Sequence, residues 1–407
     1  MCYYRVIMAR FHFDSPRQTI GRLTRLDGLR GVLAVYVMLG HTAPFIPWPP
    51  TVGRVIEALV SHGLAAVNLF FALSGLVIVQ SMARFGGRAR AFLMARGWRL
   101  LPVYFVVLVL ATVGLAWRSP FDVMPWVHAG NVEYQFWEGA LPHPVFAHIV
   151  LHLALLQGLM PHGVLQGLEF SLLGPAWSLS TEWQFYVVIA LVMPLVGSDD
   201  RGLRRLVWLC LAMAVAGRGY AAMMPLDWRF HRAFLPNEAA YFAIGIAAAR
   251  LWRGGAGLLG FGAALVVASG IGASHGSGFS MIAKALPPLV WAVAVAAQRR
   301  PDHWLVRPIA RALDHPAVLW LGAISYPLYL VNEPVGRALA VVVGGAAGGN
   351  PVWFSLMWGP LTLAGSIGVA AALHYTIERW CLDWAKARIT PPAAVTPAVQ
   401  SPGPAAV

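Results

Sequence analysis

The feature that most constrains this chain is a series of apolar segments, each roughly 20 residues long, which is the length of a helix that spans a bilayer. The segments recur along most of the chain, and the connections between them carry arginine, proline and glycine. Hydrophobic residues make up 58% of the sequence and charged residues 12%. This composition is typical of a multi-pass membrane protein. We therefore predict an all-α bundle of transmembrane helices.

About ten spans are predicted from the apolar segments. The segment 145–160 is also apolar, but it is short and contains His148, His152 and Gln157, so we expect an interfacial or re-entrant helix there. The predicted spans are 27–47, 60–82, 98–117, 175–197, 204–222, 236–252, 256–274, 279–298, 317–343 and 352–376.

The distribution of positive charge predicts the orientation of the bundle. The net charge is +13, and only Lys284 and Lys386 are lysine. If both termini are cytoplasmic, most of the 30 basic residues fall on the cytoplasmic side of the membrane, as the positive-inside rule requires. Because the charges are scattered between apolar spans, they do not form the soluble basic face that nucleic-acid binding needs.

Three regions are expected along the chain: a cytoplasmic N-terminal segment at 1–25, a transmembrane domain at 26–388 and a disordered Pro/Ala-rich tail at 389–407. The longest outer loop, 118–174, is rich in Trp, His and Pro. Its aromatic residues suit either anchoring at the membrane interface or stacking on sugar rings. The three cysteines show no metal-binding or disulfide spacing, and we expect no metal.

Arg30 and His41 are the first candidate functional pair. Both belong to the first apolar segment, and ionisable residues inside a membrane are functional candidates by default. Eleven positions are about three helical turns, so both side chains project from one face, roughly 16 Å apart along the axis. His41 is a candidate general base, although a packing histidine is the alternative. Asp27 lies on nearly the same face and can pair with Arg30.

Two further helices carry charged residues. Arg96 and Arg99 share a face at the predicted cytoplasmic surface, where two guanidiniums can clamp a phosphate or anchor a lipid headgroup. Ser178, Glu182 and Tyr186 share a face of the fourth span. Glu182 can orient an imidazole, bind a sugar hydroxyl or form a structural salt bridge.

The ninth span contains a polar stripe of Tyr326, Tyr329 and Asn332, which we expect to face the bundle interior. In the second span, Asn68 and Ser74 can hydrogen-bond across helices.

Five segments occur in a characteristic order: LDGLRGVLAVYVMLGH, NLFFALSG, RGWRLLPVY, PAWSLSTEWQFY and SYPLYL. Together they resemble the acyltransferase-3 family of bacterial integral-membrane O-acyltransferases, over residues 26 to about 335. The resemblance implies a ten-helix bundle that transfers an acyl group, commonly acetyl, from cytoplasmic coenzyme A to hydroxyls of glycans or glycolipids.

The resemblance also implies roles for particular residues. The family's basic residue and histidine on the first helix correspond to Arg30 and His41. Its paired arginines correspond to Arg96 and Arg99, and its acidic residue to Glu182. One position departs from the pattern, because Asn332 stands where the family usually has histidine. We expect no counterpart of the C-terminal esterase domain that some members of the family carry.

We therefore expect an acyl-CoA-dependent O-acyltransferase of the bacterial inner membrane that acts on a saccharide or glycolipid. The alternative is a secondary transporter or flippase of a lipid-linked sugar or small anion, with His41 as a proton relay. Expected catalytic residues are Arg30, His41 and Glu182; expected acyl-CoA contacts are Arg96, Arg99 and Tyr104; expected acceptor contacts are Asp27, Ser74, Trp177, Ser178, Tyr326 and Asn332.

Overall fold

The computed structural model describes residues 23–127, 137, 140–253, 257–273 and 278–389. Nearly all of the predicted N-terminal segment and C-terminal tail lie outside these residues, as does the middle of the outer loop. The helices are α1 (Thr24–Thr42), α2 (Pro50–Val60), α3 (Gly63–Arg84), α4 (Ala89–Trp117), α5 (Val145–Leu153), α6 (Ala176–Val196), α7 (Asp200–Met223), α8 (Leu235–Trp252), α9 (Leu258–Ala273), α10 (Gly278–Arg299), α11 (Arg307–Leu313), α12 (Pro316–Ala323), α13 (Ser325–Ala347), α14 (Pro351–Leu373) and α15 (Arg379–Ile389).

The prediction of an all-helical membrane protein is confirmed. In the described part of the chain, five helical stretches are long and apolar enough to cross a membrane. The count of about ten spans stays a prediction, since the other helices are shorter or less apolar. The five stretches are Pro50–Arg84, Ala89–Trp117, Ala176–Val196, Asp200–Met223 and Pro351–Ile389.

Two helices differ from their predicted spans. The predicted span 317–343 is divided into α12 and α13, which meet at Ile324. Helix α4 begins at Ala89 rather than near residue 98, so its first turns carry arginine. The segment 145–160 forms the short helix α5 and a 3-10 turn at Gln157–Leu159, and α5, at nine residues, is too short to span a bilayer, as the length and histidine content of the segment suggested.

Close helix contacts are made by glycine. Helix α8 packs between α3 and α7, and α1 packs against α3, α12 and α13. A Cβ atom at Gly245 of α8 would overlap the carbonyl oxygen of Ala72, and one at Gly75 of α3 would overlap that of Phe242. The missing side chains therefore let the α3 and α8 backbones touch, as small residues do in membrane helix pairs. This packing leaves α1, α3, α4, α6 and α13 around the bundle centre.

Candidate active site

His41 lies in the last turn of α1, and its partner is on α13. The His41 Nδ1 atom is 2.8 Å from the Asn332 Oδ1 atom. The Asn332 amide nitrogen donates to the carbonyl oxygens of Tyr329, at 2.7 Å, and of Leu328, at 3.3 Å. These bonds fix the amide with its oxygen toward His41, and an amide oxygen only accepts. The proton of neutral His41 therefore lies on Nδ1, and Nε2 keeps its lone pair.

A partly open cavity of about 570 Å³ adjoins His41. Its volume is in the usual range for a small-molecule site. The walls are mainly apolar and include seven Phe, Tyr and Trp side chains, and the charged residues among them are Glu57, Arg232 and Glu333. The principal lining residues are Phe45, Trp48, Trp126, Trp137, Phe170, Trp177, Arg232, Tyr329 and Glu333.

Aromatic packing holds the cavity walls. The rings of Phe45 and Trp137 are stacked with centroids 3.9 Å apart, and the Trp126 indole donates to the Phe45 carbonyl at 3.1 Å. The Arg232 guanidinium lies 5.6 Å from the Phe170 ring and 5.8 Å from the Trp177 ring. These are cation–π distances, so the arginine is held against the wall with its charge at the cavity.

Helix α4 contributes a buried arginine. The sequence predicts a surface position for Arg96, but the residue is only 8% exposed because α4 begins at Ala89, well before it. The Arg96 guanidinium lies 5.8 Å from the Phe92 ring and 5.9 Å from the Tyr186 ring. Arg99, one turn further along α4, is partly buried. Placing two guanidiniums this deep is costly unless they meet anions.

The guanidiniums of Arg30, Arg96 and Arg99 form a cluster with two carboxylates, Asp27 and Glu182. Asp27 makes no close ion pair with Arg30 within the described residues and acts on it only over a longer distance. The cluster keeps a surplus of positive charge. Moreover, the Arg30 Nε atom is buried and has no hydrogen-bond partner in the part of the chain that the structure describes. A buried donor in a cationic cluster is suited to an anionic ligand.

Glu182 belongs to this cluster rather than to the His41 end of the site. Its carboxylate accepts hydrogen bonds from the Ser74 hydroxyl, at 2.7 Å, and from the Tyr186 hydroxyl, one turn along α6. The sequence suggests that Glu182 orients His41 or the acceptor, whereas in the structure Asn332 makes the hydrogen bond to His41. Glu182 and Tyr186 share a face of α6, as predicted, and their side chains hydrogen-bond to each other there.

The polar stripe of α13 connects the two ends of the site. The Tyr326 hydroxyl donates to the Leu100 carbonyl, next to Arg99, at 2.6 Å. The Tyr329 hydroxyl is 2.9 Å from the Ser178 hydroxyl, and Asn332 holds His41. The stripe rises by about 9 Å from Tyr326 to Asn332. It thus runs from the arginine cluster to the cavity, facing the interior as its spacing predicts.

Tyr104 is expected from the sequence to contact acyl-CoA, and in the structure it bonds to α5. The side chain is fully buried, and its hydroxyl donates to the carbonyl of His152 at 2.9 Å. This hydrogen bond ties α4 to α5. Trp177, by contrast, lies in the cavity wall, where it can contact an acceptor.

Three charged residues of the cavity wall were not identified from the sequence: Glu57, Arg232 and Glu333. Glu333, next to Asn332, is 5% exposed, lines the cavity and pairs with Arg337 at 3.4 Å. Arg232 comes from the loop before α8. The signal for Glu333 was a carboxylate within an apolar helix, which is a functional candidate by the same reasoning as Arg30. Arg232 carries no such signal, because arginine is common in loops.

Comparison with known proteins is consistent with this arrangement. A family model described as an acyltransferase domain matches residues 23–375. The protein named acyltransferase MdmB from Streptomyces mycarofaciens is 27% identical over 386 residues, covering 89% of this chain and 92% of the relative. Protein 2 in the picA locus of Rhizobium radiobacter is 28% identical over 172 residues, 40% of this chain and 77% of the relative. No solved structure matches the chain. With the family model covering most of its length, the chain belongs to the acyltransferase-3 family and is a multi-pass membrane acyltransferase.

Proposed function

We propose that the protein is an acyl-CoA-dependent O-acyltransferase, with acetyl-CoA as donor and a saccharide or glycolipid hydroxyl as acceptor. It acts in the bacterial inner membrane, crossing it about ten times with both termini in the cytoplasm. The observation that carries the proposal is the oriented imidazole of His41. Its Nδ1 atom is held by Asn332 at 2.8 Å, and it adjoins an aromatic cavity.

The donor binds at the arginine cluster. Arg30, Arg96 and Arg99 supply the positive charge that the phosphates of coenzyme A need, and bidentate contact between guanidinium and phosphate is strong. The unpartnered Nε of Arg30 supports this assignment. From the cluster, the extended pantetheine arm, about 15–20 Å long, reaches His41, roughly 16 Å from Arg30 along α1.

The acceptor binds in the aromatic cavity. Sugar rings offer apolar C–H faces that stack on indole rings, and Trp137 and Trp177 line the cavity. Arg232 and Glu333 supply charged groups at the same walls and can bind sugar hydroxyls.

Transfer proceeds by general-base catalysis. The His41 Nε2 atom takes the proton from the acceptor hydroxyl as the oxygen attacks the thioester carbonyl carbon. The C–S bond then breaks, and the leaving thiolate receives that proton from the imidazolium. The products are the O-acyl ester and free coenzyme A. Asn332 stabilises the imidazolium through the hydrogen bond at Nδ1.

The test is acceptor-dependent release of free thiol from acetyl-CoA by the purified protein. We expect His41→Ala to abolish release without loss of the folded protein, since alanine is accommodated in α1. Arg96→Ala should raise the KM for acetyl-CoA with little change in the KM for the acceptor, and Arg96→Lys should restore affinity only partly because it lacks the planar fork.

The matched control is Arg90→Ala, at an exposed arginine near the start of the same helix. It should behave as wild type. An Arg96→Ala variant with the wild-type KM for acetyl-CoA would contradict the assignment of the donor site to the arginine cluster. A His41→Ala variant with more than a few per cent of wild-type activity would exclude His41 as the base.

A further inference from the structure

A cluster outside the acyl-transfer site brings together His162, Glu169 and His231. One ligand atom from each residue lies within 4.8 Å of the others. The rings of His162 and His231 have centroids 3.5 Å apart, and the His231 Nδ1 atom contacts the Glu169 carboxylate. Two imidazoles and one carboxylate thus converge on a single point.

Two of the three residues are buried, and His162 is half-buried. His231 is 3% exposed and Glu169 is 9% exposed. Among the described residues, the Nε2 atom of His231 has no hydrogen-bond partner, while its Nδ1 atom and the Oε2 atom of Glu169 meet only each other. Buried polar atoms in proteins are nearly always satisfied, because an unmade hydrogen bond costs roughly 1–3 kcal/mol. The buried Nε2 atom of His231, beside a second imidazole and a carboxylate, therefore indicates a missing ligand.

Backbone contacts hold the two loops that supply these residues. The amide of His162 donates to the Arg229 carbonyl at 2.9 Å, and the amide of Gly163 donates to the Asp227 carbonyl at 2.8 Å. The side-chain amide of Asn237 donates to the His231 carbonyl at 2.7 Å. The ligand-bearing backbone is therefore positioned without help from the three side chains.

We propose that His162, Glu169 and His231 bind a divalent transition-metal ion, Zn²⁺, on the outer side of the bundle. Imidazole nitrogen and carboxylate oxygen are ordinary zinc ligands at about 2.0–2.2 Å, and three protein ligands leave a fourth position for water. Closing the cluster around an ion requires shifts on the order of 1 Å, since tetrahedral ligands at those bond lengths lie about 3.3–3.5 Å apart.

The ion fixes one wall of the cavity beside His41. Phe170 and Arg232, both lining residues, directly follow the ligands Glu169 and His231 in the chain. A metal that joins these two ligands thereby sets the distance between the two wall residues. This role is separate from acyl transfer, and it holds whether or not the acceptor is a saccharide.

The experiment measures zinc in the full-length protein, purified in detergent without an affinity tag. After incubation with Zn²⁺ and dialysis against metal-free buffer, we expect about one zinc per chain by mass spectrometry of the metal, and well below that in Glu169→Gln and His162→Ala. Cobalt replacement should give the visible absorption of a tetrahedral site. His303→Ala, at an exposed histidine far along the chain, is the matched control and should keep the ion.

Chelation adds a measurement that does not depend on any variant. The thermal unfolding midpoint of the wild type should fall when zinc is removed and recover when it is restored, and the midpoint of Glu169→Gln should not respond. A wild-type protein that retains no more zinc than Glu169→Gln overturns the proposal. None of these measurements depends on acyl transfer. If the protein releases no thiol from acetyl-CoA, the zinc measurements still test the metal site.

Discussion

At the scale of single residues, the structure assigns a partner to His41. Asn332 departs from the family resemblance, which has histidine at this position, and its amide cannot shuttle a proton. The geometry gives the amide another task, since its oxygen fixes the His41 tautomer at 2.8 Å. Asn332 is therefore a positioning residue, comparable to the group that orients the histidine in other general-base sites.

Replacing Asn332 tests this role. Asn332→Leu should lower kcat by about 100-fold, within the range of general-base effects, and should leave the KM for acetyl-CoA nearly unchanged. Asn332→His should keep more activity, because one ring nitrogen of a neutral imidazole can accept the hydrogen bond from His41. Steady-state kinetics with both substrates separates kcat from KM.

Two results would contradict the assignment. One is an Asn332→Leu variant with wild-type kcat. The other is an Asn332→His variant that is as inactive as Asn332→Leu. In that case, accepting the hydrogen bond from His41 Nδ1 would not be the role of residue 332.

At the scale of helices, close packing depends on small residues. Helices α3 and α8 meet at Gly75 and Gly245, where their backbones are in contact. Because lipid tails are as apolar as leucine, such pairs are held by van der Waals packing rather than by apolar burial. This contact holds α3, which carries Ser74, in position beside Glu182.

Adding one methyl group at this contact should be costly. Gly245→Ala should destabilise the protein by about 1–3 kcal/mol, because the new Cβ atom overlaps the Ala72 carbonyl and the backbones must separate. Gly114→Ala in α4 is the control, since nothing lies within 4 Å of the added atom. Unfolding in mixed detergent measures the stability of both variants. Equal losses of stability would show that the close α3–α8 contact does not contribute specially to stability.

The short helix α5 carries a histidine that is kept neutral. Burial lowers the pKa of His152 to about 4, from the ordinary value of 6.5. In the unfolded chain the imidazole takes up a proton as the pH falls below 6.5, but in the folded chain it does so only near pH 4. His152 therefore costs no stability above pH 6.5 and reduces stability progressively between pH 6.5 and 4.

The lowered pKa of His152 predicts that the folded protein loses stability in acid. The unfolding midpoint should fall as the pH is lowered from 7 to 5, and part of that slope should disappear in His152→Gln, whose side chain does not titrate. The full effect of His152 is on the order of 3 kcal/mol once the pH reaches 4. Thermal unfolding at several pH values measures it, and identical slopes for the variant and the wild type would refute the linkage.

At the scale of the whole molecule, the proposed mechanism requires the donor site and the acceptor site to open on opposite sides of the membrane. The arginine cluster must face the cytoplasm, where acyl-CoA is found, and the aromatic cavity must face the other compartment. The arginine-rich connections set this orientation by the positive-inside rule. Arg90 and the exposed Gln166 should then lie on opposite sides of the membrane.

Cysteine labelling in intact cells tests the orientation. A cysteine at Gln166 should react with a membrane-impermeant thiol reagent added outside, and a cysteine at Arg90 should not. The wild-type chain measures the background, and the buried Cys210 and Cys381 should stay unlabelled. Labelling at Arg90 but not at Gln166 would invert the topology and leave no route from cytoplasmic acyl-CoA to an outer acceptor.

The sequence by itself determined the features that depend on short separations along the chain. Apolar length predicted helices, and the apolar composition predicted a membrane protein. The 3.6-residue period placed Arg30 with His41 on α1, Glu182 with Tyr186 on α6, and the tyrosines with Asn332 on α13. The predictions for α6 and α13 succeeded because a helix repeats its geometry locally, so spacing alone decides which side chains share a face. The shared face of Arg30 and His41 stays a prediction.

The tertiary structure decided which faces meet. His41 and Asn332 are 291 positions apart, and no periodicity could pair them. The burial of Arg96 followed from where α4 begins and from the aromatic rings of Phe92 and Tyr186, which only packing brings to it. His162, Glu169 and His231 form no motif in the sequence, because their convergence depends on two loops held by backbone hydrogen bonds between distant segments.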